Sequence, residues 1–453
     1  MSQVLAIDEL VDGQRIRGFN LSLLFWSFLT MLADGYDIGA LSFAIPELQN
    51  LWHVPAGAFG PALSASLFGI LFGAPVLGYL GDRSGRKTAI IVGSIIYGVS
   101  TLGVIWTHDL TQVIVLRFIT GIGLGGIMPN TIALNSELAP QRLRATLVVL
   151  MFTGITLGSS APGFIAAWLV PHYGWTVLFL IGGLVPLIVA ASLVVALPES
   201  IKYLALVPGR RAELVVLARR MRPDLQIAED ARPASASAPP AGTRAVGQIF
   251  SGQLALITPL LWVCFATALM ANFFLNSWLP ILFRNGGLQP AQAAIAASLY
   301  HVGGTVGGLL ISVLLDRFGF VVIAVLFVIA APAVAAIGMS GMAYATIAPL
   351  ATLAGFTVLG AQFGNNAAAG LLYPTAYRSK GVGWALGVGR FGSIAGPLVG
   401  GRLIDMHLPM RQLFVAAAIP MLLGALAAII LVRLCYVRLG RLRLSDVPRQ
   451  AAI

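Results

Sequence analysis

The chain has 453 residues, 58 % of them hydrophobic and only 10 % charged, with a mean hydropathy of +0.89. A soluble domain carries about 25 % charged residues, so a soluble enzyme core is excluded and the chain reads as a polytopic membrane protein. The net charge of +11 would point to nucleic acid in a soluble protein, but the basic residues here lie in short stretches between apolar runs, where they set topology.

The first residues carry Asp8, Glu9 and Asp12 and no apolar core, which is not a signal peptide; the first helix itself directs insertion. Twelve apolar runs follow, at 19–45, 58–81, 88–107, 110–136, 145–171, 174–197, 253–282, 291–315, 319–340, 343–371, 379–404 and 411–437. Each is long enough to span a bilayer as a helix. Five segments result: 1–18 as an N-terminal arm, 19–197 and 253–437 as two six-helix bundles, 198–252 as a central loop and 438–453 as a tail. With the amino terminus in the cytoplasm, 23 of the 28 basic residues fall on that side, and only Arg284 and Arg411 fall outside. Both termini and the central loop are therefore expected to be cytoplasmic. Within that loop, Arg232 to Gly242 is low-complexity and expected to be disordered, and Gly209 to Arg222 is expected to be a basic amphipathic helix lying on the membrane. Cys264 and Cys435 lie far apart in apolar segments, and neither a disulfide framework, a metal site nor a cofactor is expected.

The first helix carries Asp34-Gly35-Tyr36-Asp37 inside an otherwise apolar run. A charge there costs roughly 2.5–3.5 kcal/mol on insertion scales, and packing does not require it twice in four residues. Residues three apart share a helix face, so both carboxylates are expected to point into one working cavity. The alternative is a wet vestibule at the helix end.

An internal repeat divides the chain. Asp82-Arg83-Ser84-Gly85 returns as Asp316-Arg317-Phe318-Gly319, a shift of 234 that also carries Pro140 onto Pro374 and Arg144 onto Arg378. Four features in one register indicate duplication and a cavity between the halves. The segment Gly78-Tyr-Leu-Gly-Asp82-Arg83-Ser-Gly85-Arg86-Lys87 resembles the loop signature of the major facilitator superfamily. The resemblance implies an all-α fold of twelve transmembrane helices in two pseudo-symmetric six-helix bundles. It also implies a conformational latch built from Gly78, Asp82, Arg83, Gly85 and Arg86, with Glu137, Arg142 and Arg144 after the fourth helix, and Asp316, Arg317, Gly319 and Arg378 in the second half. Phe320 replaces the second arginine, so that copy is expected to latch more weakly.

Three stretches are similar to the aromatic acid:proton symporters of that superfamily: Asp34-Gly-Tyr-Asp37; Arg117 through Pro129 and Asn130 with Glu137 to Arg144; and Tyr373 through Arg390 to Pro397. That similarity implies import of a small aromatic carboxylate with a proton by a bacterial inner-membrane protein, with a monomer as the default state and no nucleic-acid partner. Asp34 and Asp37 are the expected proton-coupling residues. Arg390 is the expected carboxylate anchor, since a guanidinium holds a carboxylate at two points; a salt bridge to a helix-one carboxylate is its alternative. For Arg117, structural pairing, proton gating and substrate contact stay open. Tyr36, Trp278, Tyr300, Phe363 and Trp384 are candidate stacking walls. Asn272, Asn276, Gln362, Asn365 and Asn366 are candidates either for ring hydroxyls or for helix–helix hydrogen bonds. His301 is a proton carrier or a core histidine.

Gly121-x-Gly123-x-x-Gly126 spells a dinucleotide fingerprint but sits in an apolar helix with no strand before it, so it reads as close helix contact. Pro198-Glu199-Ser200 resembles a sugar-porter signature and discriminates weakly. A drug or metabolite exporter is the rival transporter; Ala161-Pro162-Gly163 matches the exporter motif only faintly. A sensor would need a larger central domain, and no nucleophile–base pair or phosphate loop supports an enzyme.

Overall fold

Among the described residues, twelve long helices follow one another in the computed structural model: α1 (Gly18–Trp52), α2 (Gly60–Ser84), α3 (Arg86–Gly103), α4 (Leu110–Leu138), α5 (Arg144–Tyr173), α6 (Thr176–Ala196), α7 (Leu254–Asn285), α8 (Pro290–Phe318), α9 (Val321–Ile337), α10 (Tyr344–Leu372), α11 (Arg378–Asp405) and α12 (Met410–Leu439). The structure describes residues 4–14, 18–228, 232–233, 249–250, 252, 254–341, 343–373 and 378–439. Ten of these helices are long and apolar enough to cross a membrane. Helix α9 is shorter, and α11 is diluted by glycines and Arg390. Prolines occur inside most spans, including Pro46, which α1 runs through rather than stopping at position 45. Neighbouring helices satisfy the backbone groups that a proline frees in a membrane.

The two halves repeat one packing scheme. Helix α2 packs along α4 as α8 packs along α10, and α1 pairs with α5 as α7 pairs with α11. The register of 234 holds at the level of single backbone contacts. A Cβ on Gly69 or Gly73 would strike the carbonyls of Phe118 or Ile122, and one on Gly303 or Gly307 would strike those of Thr352 or Phe356. Gly121 meets the Ser66 carbonyl as Gly355 meets that of Tyr300, and Gly158 meets Leu32 as Gly392 meets Ala266. Without a hydrophobic force between helices in lipid, such close backbone approach supplies the association energy. Glycine is required for a different reason after α2 and α8, where Gly85 (φ 101°) and Gly319 (φ 68°) turn the chain through left-handed backbone.

Among the described residues, three hydrogen bonds join the halves: Ser64 Oγ to Ile394 O (2.9 Å), Ser298 Oγ to Ser160 O (2.8 Å) and Asn276 Nδ2 to Ile38 O (3.3 Å). Gly57 and Gly60 meet Pro397 and Gly401 across the same seam. These contacts lie away from the Asp82 loop, so the halves are sealed at the opposite end.

The segment Gly209 to Arg222 does not present its apolar face to lipid. Its helix Arg211–Met221 buries Leu214, Val215, Leu217, Ala218 and Met221 in a cluster with Leu10, Val11, Leu134, Leu138, Leu193 and Leu197. The amphipathic pattern is correct, but its partner is the end of the first bundle and the short helix Ile7–Asp12. Gln14, buried, donates to Leu138 O at 3.0 Å, and Arg142 donates to Gln14 O at 3.0 Å. Residues 234–242, most of the expected low-complexity stretch, lie outside the described residues, as do Pro374 and the tail from 440. A two-residue bridge pairs Val4–Leu5 with Arg232–Pro233.

Replacing Gly73 by Leu forces a side chain into the Ile122 carbonyl, whereas Gly78 faces open space. Overpacking costs about 1–3 kcal/mol or more. Detergent-solubilised Gly73→Leu is expected to lose its monodisperse size-exclusion peak while Gly78→Leu keeps it; equal behaviour would refute the backbone-contact account of the packing.

Candidate functional site

Asp37 is fully buried in α1, and Arg117, 2 % exposed, faces it from α4. Arg117 Nη1 donates to both carboxylate oxygens of Asp37, at 2.8 and 2.9 Å, and Nη2 donates to the Asp37 carbonyl at 3.3 Å and to Ser66 Oγ at 3.2 Å. Thr101 Oγ1 donates to Asp37 Oδ1 at 3.0 Å. The cluster therefore ties α1, α2, α3 and α4 together inside the first bundle. In a dry interior such a pair is tolerated only because each charge is met by the other and by hydrogen bonds.

Asp34, one turn earlier on α1, has a different setting. It lines a cavity between the halves together with Arg390 of α11, His301 of α8, Asn272 and Asn276 of α7, and Gln362 and Asn366 of α10. About 1140 Å³ of empty space lies between these residues, the open solvent at its mouth included. Phe152, Phe265, Phe273 and Phe363 supply its apolar walls, with Ser159 and Ser393 beside the charged pair of helices. Among the described residues no ion pair within 4.0 Å joins Asp34 and Arg390, in contrast to Asp37 and Arg117. The expectation that both aspartates share one cavity is thus corrected: α1 turns Asp37 into its own bundle and Asp34 toward the other half. The spacing of three residues permits a shared face, but Arg117 captures one of the two.

The cavity's amides differ in what they already bind. Asn272 Oδ1 accepts from Tyr300 OH at 2.9 Å. Asn276 Oδ1 and Gln362 Oε1 are buried with no partner among the described residues, a state that costs roughly 1–3 kcal/mol for a neutral group. His301, buried, stands edge-on to the Tyr300 ring at 5.1 Å.

Several sequence candidates lie elsewhere. Tyr36 donates to Leu178 O at 3.0 Å and packs toward α6. Trp278 is fully buried, but its Nε1 donates to Pro397 O at 3.1 Å within the α7–α11 contact. Trp384 is 47 % exposed and stacks on Trp262. Asn365 donates to Cys264 O at 3.1 Å as a tie between α7 and α10. Arg117 serves Asp37. Each misplacement has one cause: a polar or aromatic residue in an apolar helix reads the same whether it faces the cavity, a neighbouring helix or lipid. The walls Phe152, Phe265 and Phe273 carry no sequence signal beyond hydrophobicity, and Ser66 and Thr101 are ordinary small polar residues.

At the end bearing the Asp82 loop, Arg86 pairs with Asp82 at 2.6 Å, approaches Glu137 at 3.9 Å and donates to Asn130 Oδ1 at 3.3 Å. Glu199, absent from the expected latch, accepts from the backbone N–H of Lys87 (3.1 Å) and of Ser200 (2.8 Å). Burial pushes its carboxyl above the usual carboxylate range, against the pull of those hydrogen bonds. Ser200 Oγ donates to Glu137 and receives the Tyr203 N–H, capping the next helix. A Cβ on Gly85 would strike the Glu199 carboxylate. All these partners belong to the first bundle or to the start of the central loop. Arg83 is exposed and donates to Tyr79 OH at 3.4 Å, Gly78 faces open space, and Arg144 Nε is buried with no partner among the described residues. In the second half Arg317 lies over the Phe318 ring and Arg378 donates to Tyr373 O, while the Asp316 side chain lies outside what is described.

The profile of the Major Facilitator Superfamily matches residues 27–368 and 261–441. The chain is 35 % identical over 431 residues to a 4-hydroxybenzoate transporter, PcaK, of Pseudomonas aeruginosa, covering 94 % of this chain and 95 % of that protein. It is 33 % identical over 426 residues to a gallate transporter of Pseudomonas putida, covering 93 % and 94 %. Its fold matches a bacterial homologue of the human lysosomal transporter Spinster in an inward-facing, unoccupied conformation, with a TM-score of 0.68 at 17 % identity over 93 % of this chain and 98 % of that one.

Arg117→Ala leaves the Asp37 carboxylate buried and unpaired, and is expected to destabilise the protein by about 3–5 kcal/mol. Pairing it with Asp37→Asn removes the stranded charge and restores part of the loss. Thermal unfolding of the two variants in detergent checks this; a double mutant no more stable than Arg117→Ala contradicts it.

Proposed function

Because this chain belongs to the Major Facilitator Superfamily, we propose that it imports small aromatic carboxylates by proton symport with alternating access. The observation that carries this reading is the pair of opposite charges, Asp34 and Arg390, held apart across one phenylalanine-walled cavity between the halves. Relatives that bear the names of 4-hydroxybenzoate and gallate transporters support the substrate class. We place the protein in a bacterial inner membrane as a monomer, with both termini and the Asp82 loop in the cytoplasm.

In this reading Arg390 anchors the carboxylate by two charge-assisted hydrogen bonds, and the ring lies among Phe265, Phe273 and Phe363. Asp34 carries the proton, since Asp37 is committed to Arg117. Neutralising both open charges lowers the cost of enclosing them, so the loaded and protonated carrier crosses while the half-loaded one does not. With the Asp82 loop cytoplasmic, the seal formed by Gly57, Gly60 and Gly401 is external. The cleft between α5 and α8, lined by Val148, Thr153, Thr305, Ile311 and Leu315, then leads from the cavity toward the cytoplasm. Asp82 and Arg86 pair with each other within their own half.

Proteoliposomes are expected to accumulate labelled 4-hydroxybenzoate when the exterior is acidified, and to lose that accumulation with a protonophore. Asp34→Asn abolishes uphill accumulation but retains exchange of internal for external substrate. Arg390→Lys raises the half-saturating concentration by roughly ten- to a hundredfold, the worth of one charge-assisted hydrogen bond. Uptake indifferent to both pH and protonophore overturns proton coupling; full accumulation by Asp34→Asn removes Asp34 from it.

A further inference from the structure

We infer that Asn276 and Gln362 read a hydroxyl on the aromatic ring, so that this carrier prefers hydroxybenzoates to benzoate itself. The inference rests on the import reading above and narrows it to a substrate class. Its basis is the difference among the amide side chains around the cavity. Asn365 donates to the Cys264 carbonyl and, although its Oδ1 is likewise unpaired among the described residues, it does not line the cavity; Asn272 already accepts the Tyr300 hydroxyl. Asn366 is exposed at the mouth. Asn276 is 6 % exposed, and its amide nitrogen is tied to Ile38 O at 3.3 Å, which fixes the group and leaves Oδ1 as a buried acceptor with no donor among the described residues. Gln362 Oε1 is in the same condition, and both residues line the cavity that holds Arg390.

A buried acceptor without a donor, on a residue that lines a binding cavity, calls for a donor on the ligand. A carboxylate anchored on Arg390 donates nothing, and a bare ring has no polar hydrogen. A phenolic O–H supplies one. The axial geometry suits a hydroxyl opposite the carboxylate. Gly389, next to Arg390, packs against Leu269 of α7. Asn276 lies seven residues further along the same helix, about 10 Å at 1.5 Å per residue, roughly the reach of a para-hydroxylated ring acid with a hydrogen bond at each end. Side chains of a helix lean toward its amino terminus, which tips Asn276 back toward the level of Arg390. Gln362 stands on α10, one turn from Asn365, whose bond to Cys264 O sets that part of α10 beside α7 near Phe265. It therefore meets the ring edge nearer the carboxylate, where a second hydroxyl would lie. A site built to bond a hydroxyl discriminates strongly against the analogue that lacks it, because the acceptor is then left empty.

The test is uptake of labelled 4-hydroxybenzoate and labelled benzoate by proteoliposomes of the full-length protein, with half-saturating concentrations measured for wild type, Asn276→Leu and Gln362→Leu. Wild type is expected to favour 4-hydroxybenzoate by about tenfold or more. Asn276→Leu should weaken 4-hydroxybenzoate by a similar factor while changing benzoate less than about twofold, and Gln362→Leu should act in the same sense on 3,4-dihydroxybenzoate. Thermal shifts with the same acids report binding where a variant is slow to transport. Equal half-saturation of wild type by the two acids, or equal weakening of both by Asn276→Leu with Gln362→Leu silent on every acid, overturns the inference and leaves aromatic-acid import standing. Failure of folded wild type to bind or carry any of the acids overturns both.

Discussion

A charge held out of water must be answered by another charge or by hydrogen bonds, and this molecule answers its two intramembrane aspartates in opposite ways. Asp37 is met at once by Arg117, Thr101 and its surrounding bundle, and becomes part of the framework. Asp34, a single turn away, has no ion pair within 4.0 Å among the described residues and shares a cavity with Arg390. The first arrangement fixes four helices; the second leaves an unmet requirement that a ligand and a proton can satisfy. Exchanging the two roles would need α1 to rotate, and the glycine contact of Gly35 on the Ile155 carbonyl holds it in place.

The duplication explains the frame but not the chemistry. Positions 234 residues on from Asp34, Asp37 and Arg117 are Ala268, Ala271 and Ala351, and the position that precedes Arg390 by that interval is Thr156. The glycine contacts that set helix spacing are shared between halves, whereas the ionisable groups Asp34, Asp37, Arg117 and Arg390 are not. Symmetry therefore supplies two similar rigid bodies, and asymmetry supplies the acid on one and the base on the other. An anion lying between them meets unlike walls, which gives the cavity a polarity across the seam as well as along the membrane normal.

Much of this was legible in the chain before any coordinates. Apolar runs gave the twelve helices, because lipid tolerates little else, and the Asp82 and Asp316 copies gave the register of the halves, which Gly85 and Gly319 then met with left-handed turns. Asp34, Arg390, His301, Asn272, Asn276, Gln362 and Phe363 were picked out by polarity or size and do share a cavity. Tyr36, Trp278, Trp384 and Asn365 were picked out by the same rules and do not. Sequence carries no rotational phase for a helix that is apolar on every face, so the direction of a side chain had to come from packing. The docking of Arg211–Met221 onto the bundle end was hidden for a related reason: an amphipathic stripe fits a membrane surface and a protein surface equally well. Glu199 sits in a three-residue motif that many sequences share, yet it closes the turn at Gly85.

The seam between the halves is built largely of glycine, proline and main-chain atoms: Gly57 and Gly60 rest on Pro397 and Gly401, and Gly163 rests on Ser298 and Ala294. Backbone has no rotamers to sort, so two such surfaces can part and rejoin without any side chain searching for its place. A door hung this way has little to grip and little to jam, and its swing is governed by what stands in the room behind it rather than by the latch edge itself.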